Sequence, residues 1–179
     1  MKKLASIIAM LAVLSISFGC KKEPLTVSDH NYYNYLACAI LRAQVTFYNQ
    51  HIAGTTISAP DMEFEAPYGG TVHITGSVST ASNGLTTVNL NYDMNNVKWI
   101  ESFSNSTSGT VYMTGTLNEV GSFSGDYKST TCTSQNLQIT GEVHYGTATR
   151  EADEYGRVSI VASNDKYNGE VFGYVVNNN

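Results

Sequence analysis

The chain has 179 residues, with 10 basic and 15 acidic side chains and a formal net charge of −5. An acidic balance without a Lys/Arg cluster argues against nucleic acid as a partner. Charged residues make up only 14% of the chain, whereas Thr, Ser, Asn, Gly and Tyr are frequent. This composition is typical of β-strands and turns in an extracytoplasmic protein, and the length suits one domain with a sizeable core.

The first 20 residues have the pattern of a targeting segment. Lys2 and Lys3 precede an uncharged run over residues 4–18, which is too short for a membrane span of about 20 apolar residues. The run ends in Ser17-Phe18-Gly19-Cys20. A small residue before a cysteine at this point resembles the lipobox of bacterial lipoproteins, although Ser17 stands where the commonest lipoboxes have Leu.

The resemblance implies a division of the chain and a location. Residues 1–19 would be a lipoprotein signal peptide, Cys20 the lipid attachment site and residues 20–27 the tether of a single domain at 28–179. Several acyl chains, palmitate among them, would hold the protein firmly at a membrane. Because Lys21 replaces the Asp of an inner-membrane retention signal, we expect the cell envelope, at the outer membrane facing the periplasm.

One amphipathic helix is predicted at about residues 29–51. Ser28 or Asp29 is a suitable N-cap, and Gly54 a suitable stop. At helical spacing one stripe is formed by Tyr33, Leu36, Ala37, Ile40, Gln44, Phe47 and His51. Cys38 lies off this stripe and should face sideways.

Three similar segments with alternating apolar and polar residues follow, at 71–78, 110–117 and 136–143. Each carries a glycine at the same inward position: Gly76, Gly115 and Gly141. Further strands are predicted at 62–66, 88–94, 97–103, 123–127, 158–162 and 170–176, with hairpin-turn signals at Asn83-Gly84 and Asn168-Gly169.

The predicted fold class is mainly β (α+β): a strongly curved antiparallel meander or barrel of about eight strands with one N-terminal helix. Short connections require antiparallel neighbours. We expect the sheet to curl around the helix, with the helical stripe filling the space that the strand glycines leave. The alternative is a ligand cavity that the helix plugs at one end.

No local motif predicts catalysis, a cofactor or a metal. Residues 121–125 superficially match the serine-elbow pattern, but Phe123 stands at the nucleophile position. Walker A, dinucleotide-binding, Cys-x-x-Cys and His-Glu-x-x-His patterns do not occur. His73 and His144 share the polar strand face and could approach each other only if their strands were neighbours.

Two weaker sites are predicted. Cys38 and Cys132 are disulfide candidates in an oxidising compartment, with two unrelated buried thiols as the alternative. Trp99, Tyr112 and Tyr145 could stack on a ligand, although tyrosines also form strands without binding anything.

The expected function is therefore a lipid-anchored envelope protein that is a non-catalytic binding or structural module. Its possible partners, besides the membrane reached through the lipid, are a protein, a glycan or a small apolar ligand. The alternative is a periplasmic enzyme, such as a glycosidase, whose site is built from scattered residues.

Overall fold

The computed structural model describes residues 27–103, 106–124, 127–164 and 166–178. The predicted signal peptide, Cys20 and most of the tether lie outside these residues. The chain forms one helix and eight strands: α1 Asp29–His51, β1 Asp61–Glu65, β2 Thr71–Thr80, β3 Thr86–Ser102, β4 Thr107–Ser124, β5 Tyr127–Tyr145, β6 Ala148–Ser163, β7 Lys166–Val171 and β8 Tyr174–Asn177.

Helix α1 has the predicted bounds. Ser28 caps it, because its side chain accepts a hydrogen bond from the Asn31 N–H at 3.4 Å. The predicted stripe is buried at Tyr33, Leu36, Ile40 and Phe47, and the buried surface also extends to Tyr32, Tyr35, Ala39 and Ala43. The helix is therefore enclosed on most sides rather than along one stripe.

The strands form a single antiparallel sheet in the order β1 to β8, so the predicted meander is confirmed. Within the part of the chain described, no pairing joins β1 to β8, and the sheet is open. Phe47 of α1 contacts Phe64 of β1, whereas Tyr33 of the same helix stacks on Tyr174 of β8. Since one helix contacts both ends of the sheet, the sheet curls around it.

The inward residues of the three repeated segments form the core together with α1. Val72, Ile74, Val111, Met113, Leu137 and Ile139 are all fully buried. Among the described residues, no helix is long and apolar enough to cross a membrane.

The strand glycines allow neighbouring strands to approach closely. This corrects the expectation that the helix fills the space that these glycines leave. Gly115 has φ +121°, and a Cβ built there would lie 2.5 Å from the carbonyl oxygen of Asn136 on β5. Gly76 and Gly141 are placed alike, against the backbone of a neighbouring strand. The space without a side chain is thus occupied by the adjacent strand and not by the helix, although the helix does fill the core.

Several strand predictions differ from the structure: residues 123–127 span the end of β4 and the start of β5, and residues 170–176 span the end of β7 and the start of β8. The strands predicted at 88–94 and 97–103 are one continuous strand, β3, and Asn95-Asn96 between them form a bulge. Asn168-Gly169 lies inside β7, and the hairpin turn is instead at Phe172-Gly173, where both residues have positive φ. Strand β6 begins at Ala148, ten residues before the predicted start.

Candidate functional site

An open groove runs along the side of α1 that the sheet leaves uncovered. Its volume is about 860 Å³. We call it the α1 groove. One side is formed by residues of α1 between Cys38 and Gln50. The remaining lining residues come from the β1–β2 turn, from β3, from the β6–β7 turn and from the C-terminus: Pro67, Tyr68, Trp99, Glu101, Ala162, Asn164, Lys166, Tyr167 and Asn178. A smaller recess of about 340 Å³ shares Cys38, Tyr167 and Asn178 with it.

Two aromatic rings form one wall of the α1 groove. Trp99 is buried, and its inner side meets Phe47 of the helix at 6.3 Å between ring centroids. Tyr68 is 49% exposed and meets Trp99 edge to face at 5.7 Å. The indole Nε1 of Trp99 is buried and has no hydrogen-bond partner among the described residues.

An ion pair crosses the groove from helix to sheet. The Arg42 guanidinium donates from Nη1 to Glu101 Oε1 at 2.9 Å, and its carbon atom lies 4.9 Å from the centre of the Phe103 ring. The Arg42 side chain is 56% exposed, whereas Glu101 is 13% exposed. The pair therefore presents a positive charge to the groove, with the carboxylate held beneath it.

A hydrogen-bonded chain connects the groove to the smaller recess. The Cys38 thiol donates to Tyr167 Oη at 3.4 Å, and the Tyr167 hydroxyl donates to Asn34 Oδ1 at 3.1 Å. Asn34 Oδ1 also accepts the Asn177 N–H at 3.0 Å, which ties β8 to the helix. Burial raises the pKa of both Cys38 and Tyr167, so both groups stay protonated at neutral pH.

The predicted disulfide is wrong: Cys38 and Cys132, both described, are not joined to each other. Cys38 faces the groove and Tyr167 from the uncovered side of α1. Cys132 is buried on the inner face of β5, where it pairs with Glu119 of β4 and Ile160 of β6. The two thiols thus lie on different sides of the helix–sheet interface, which sequence spacing alone could not reveal.

The three predicted ligand-binding aromatics do not meet. Trp99 lies in the wall of the α1 groove. Tyr112 alternates with the buried Val111 and Met113, which places it on the outer face of the sheet. Tyr145 is the last residue of the interior strand β5, where it pairs with Thr107 of β4 and Ala148 of β6. One of the three predicted residues therefore belongs to the candidate site.

The histidines on the polar strand face are separate. His73 Nε2 lies 2.7 Å from Asp61 Oδ1 on β1, and His144 Nδ1 lies 2.9 Å from Thr149 Oγ1 on β6. Strands β2 and β5, which carry the two histidines, are not neighbours. Within the described ranges, no group of three or more His, Cys, Asp or Glu side chains is placed to hold a metal ion.

Two further polar clusters hold the fold together. The Tyr92 hydroxyl donates to the buried carboxylate of Glu119 at 2.7 Å. At the start of the helix, Tyr33 donates to Glu154 at 3.1 Å, and the Arg150 guanidinium lies 3.8 Å above the Tyr32 ring. Burial and the nearby carboxylates raise the pKa of these tyrosines. The phenols are therefore donors at physiological pH.

Sequence reasoning missed Tyr68, Arg42 and Glu101. They come from a turn, a helix and a strand, and no spacing along the chain links them. The signal that could have found Arg42 is its position, since it is the one lysine or arginine within the predicted helix and lies away from the apolar stripe.

Comparisons with known proteins give no relative for this chain. No family model matches it, and neither the curated proteins nor the solved structures contain a match.

Proposed function

We propose that this chain is a lipid-anchored protein of the cell envelope that binds a ligand in the α1 groove without transforming it. The lipobox-like ending at Gly19-Cys20 supports the anchor. The observation that carries the binding function is the groove wall, where the exposed ring of Tyr68 meets Trp99 edge to face. A ligand with a flat apolar face fits this wall.

The groove favours binding over hydrolysis. Glycoside hydrolysis uses two carboxyl groups that flank the scissile bond. Glu101 is the one carboxylate among the described lining residues of the α1 groove, and Arg42 holds it in an ion pair. The exposed Arg42 side chain can instead bind an anionic or hydroxyl-rich ligand.

A thermal-shift screen with sugars, lipids and metal salts tests the binding function. A ligand of the α1 groove should raise the melting temperature of the wild type without being converted to product. Tyr68→Ala removes the exposed wall and should abolish that shift. The matched control is Tyr155→Ala, because Tyr155 is 71% exposed and is not part of the groove lining. Product formation, or equal shifts in both variants, would contradict the proposal.

The anchor has a separate test. Cys20→Ala should abolish labelling by a radioactive fatty acid and leave the protein soluble or unprocessed. If the wild type carries no lipid and the variant still fractionates with membranes, the anchor proposal is wrong.

A further inference from the structure

We infer that Asn83, in the turn between β2 and β3, is a site of spontaneous deamidation, whereas the sheet protects Asn168 in the same dipeptide sequence. The reaction converts the side-chain amide to a carboxyl group, with water as the only co-reactant. This inference concerns a different part of the molecule from the α1 groove and does not depend on the proposed function.

The reaction needs an asparagine whose following backbone nitrogen is unhindered, and Asn83-Gly84 supplies one. The Gly84 nitrogen attacks Cγ of Asn83, the proton of that nitrogen passes to solvent, and the side-chain nitrogen leaves as ammonia. Water then opens the cyclic imide, either at Cγ to give aspartate or at the main-chain carbonyl carbon to give isoaspartate. Glycine favours the ring closure, because it has no Cβ beside the attacking nitrogen and both reacting groups belong to one short segment.

Asn83 and Gly84 lie at the tip of a hairpin. The Ala81 N–H donates to the Leu85 carbonyl at 2.8 Å, which closes the hairpin, and the Gly84 N–H donates to the Ala81 carbonyl at 3.0 Å. Asn83 is exposed, and a Cβ built on Gly84 would meet no atom within 4 Å. The tip is therefore held by bonds within the turn and not by packing around Gly84.

The Asn83 side chain is folded back along the chain. Its Oδ1 accepts the Leu85 N–H at 3.1 Å, which holds Cγ close to the main chain that follows Asn83. The same hydrogen bond stabilises negative charge on Oδ1, and this charge develops when the Gly84 nitrogen adds to Cγ. Breaking the hydrogen bond from Gly84 to Ala81 frees the nitrogen for attack, and such fraying at a hairpin tip costs little free energy.

Asn168-Gly169 is the same dipeptide in a different setting. Both residues lie within β7, where Gly169 pairs with Ile160 of β6 and with Val176 of β8. A Cβ built on Gly169 would collide with the Ser159 carbonyl oxygen, so β6 lies close against this backbone. Imide formation rotates the main chain and would break pairing on both sides. Because opening a paired strand costs far more than fraying a turn, the fold should slow the reaction here.

Incubating the detergent-solubilised full-length protein in water labelled with heavy oxygen, at mildly alkaline pH, tests the inference. Peptide mapping by mass spectrometry then measures the labelled acid formed at each of the two asparagines. In the folded protein the rate at Asn83 should exceed the rate at Asn168 at least tenfold, and both aspartate and isoaspartate should form. Equal rates, or a faster reaction at Asn168, would overturn the inference.

The unfolded chain is the control for the dipeptide sequence. In concentrated urea neither the turn nor the sheet surrounds the two sites, so Asn83 and Asn168 should react at rates within about threefold of each other. If Asn83 reacts in urea but stays intact in the folded protein over the same period, the turn protects it and the inference is wrong. No labelled acid at Asn83 in either state would also exclude the site.

A pair of variants tests the role of Gly84. In Gly84→Ala the new methyl group points into open space but hinders the attacking nitrogen, so the reaction at Asn83 should slow at least tenfold. The matched control is Gly146→Ala in the β5–β6 turn, because Gly146 also has a positive φ and open space around its added Cβ. This control should react at Asn83 within about twofold of the wild type. Equal rates in the two variants would contradict the mechanism, and if Gly84→Ala does not fold, the comparison of Asn83 with Asn168 decides alone.

Discussion

Replacing Gly115 by alanine tests the way in which the sheet bends. At φ +121° an L-residue is strained, which costs about 1–3 kcal/mol. The new Cβ would also lie 2.5 Å from the Asn136 carbonyl oxygen and 3.3 Å from Leu137 Cα, so β4 and β5 must move apart. Overpacking of this kind costs about 1–3 kcal/mol more.

Gly156 is a matched control for the strain. It has φ +142°, but the nearest atom to its added Cβ is Phe172 Cδ1 at 3.9 Å. Gly156→Ala should therefore have the backbone strain of a positive φ but no steric clash between its Cβ and a neighbouring strand. For a domain of this size about 2–4 °C of melting temperature corresponds to 1 kcal/mol, so Gly115→Ala should melt at least about 2 °C below Gly156→Ala.

Thermal unfolding followed by circular dichroism measures the two variants together with the wild type. If Gly115→Ala melts with Gly156→Ala, the close approach of β4 and β5 at this glycine is wrong. If it melts with the wild type, the positive φ is wrong as well.

Three further predictions concern buried or half-buried polar side chains. Tyr92→Phe removes a donor from the buried Glu119 and should lower the free energy of unfolding by about 1–3 kcal/mol in urea titrations; an unchanged midpoint would refute this. Maleimide should label the half-buried Cys38 only slowly in the folded protein, because burial raises the pKa of its thiol, and should label Cys132 only after unfolding; a disulfide found by mass spectrometry would contradict the structure. Burial lowers the pKa of His51 below 6.5, so the folded state binds fewer protons than the unfolded state, and stability should fall as the pH drops below about 6.5. His51→Gln should weaken this dependence, and identical pH profiles would exclude His51 as its source.

The elements that could be predicted are those whose periodicity follows from burial. Helix α1 could be placed from its apolar spacing, because the sheet encloses that surface. The three repeated segments could be placed because their inward residues alternate with polar ones. In both cases the core imposes a pattern on the sequence.

The elements that were misplaced depend on tertiary context. Asn83-Gly84 and Asn168-Gly169 carry the same local turn signal, yet only the first lies in a turn. Gly169 lies within β7 between the buried Tyr167 and Val171, and the turn falls at Phe172, a bulky residue with φ 52°. The turn preference of Asn168-Gly169 does not determine where the turn falls, because pairing with β6 fixes the register of β7.

The candidate site was harder to predict than the fold. Trp99 could be singled out as a rare aromatic, but its partners Tyr68, Arg42 and Glu101 approach it only when the sheet curls around α1. Tyr112 and Tyr145 are predicted from residue type alone, and strand parity and strand ends place them elsewhere. A binding site formed by three separate elements leaves no pattern along the chain.

The intrinsic fluorescence of Trp99 tests the central claim most directly. Trp99 is the only tryptophan in the chain, so its emission reports on the α1 groove without added labels. We expect any ligand that raises the melting temperature to shift this emission, with the same midpoint in titration, and we expect both effects to disappear in Tyr68→Ala. A stabilising ligand that leaves the Trp99 emission unchanged binds elsewhere, and it would contradict the assignment of the α1 groove as the functional site.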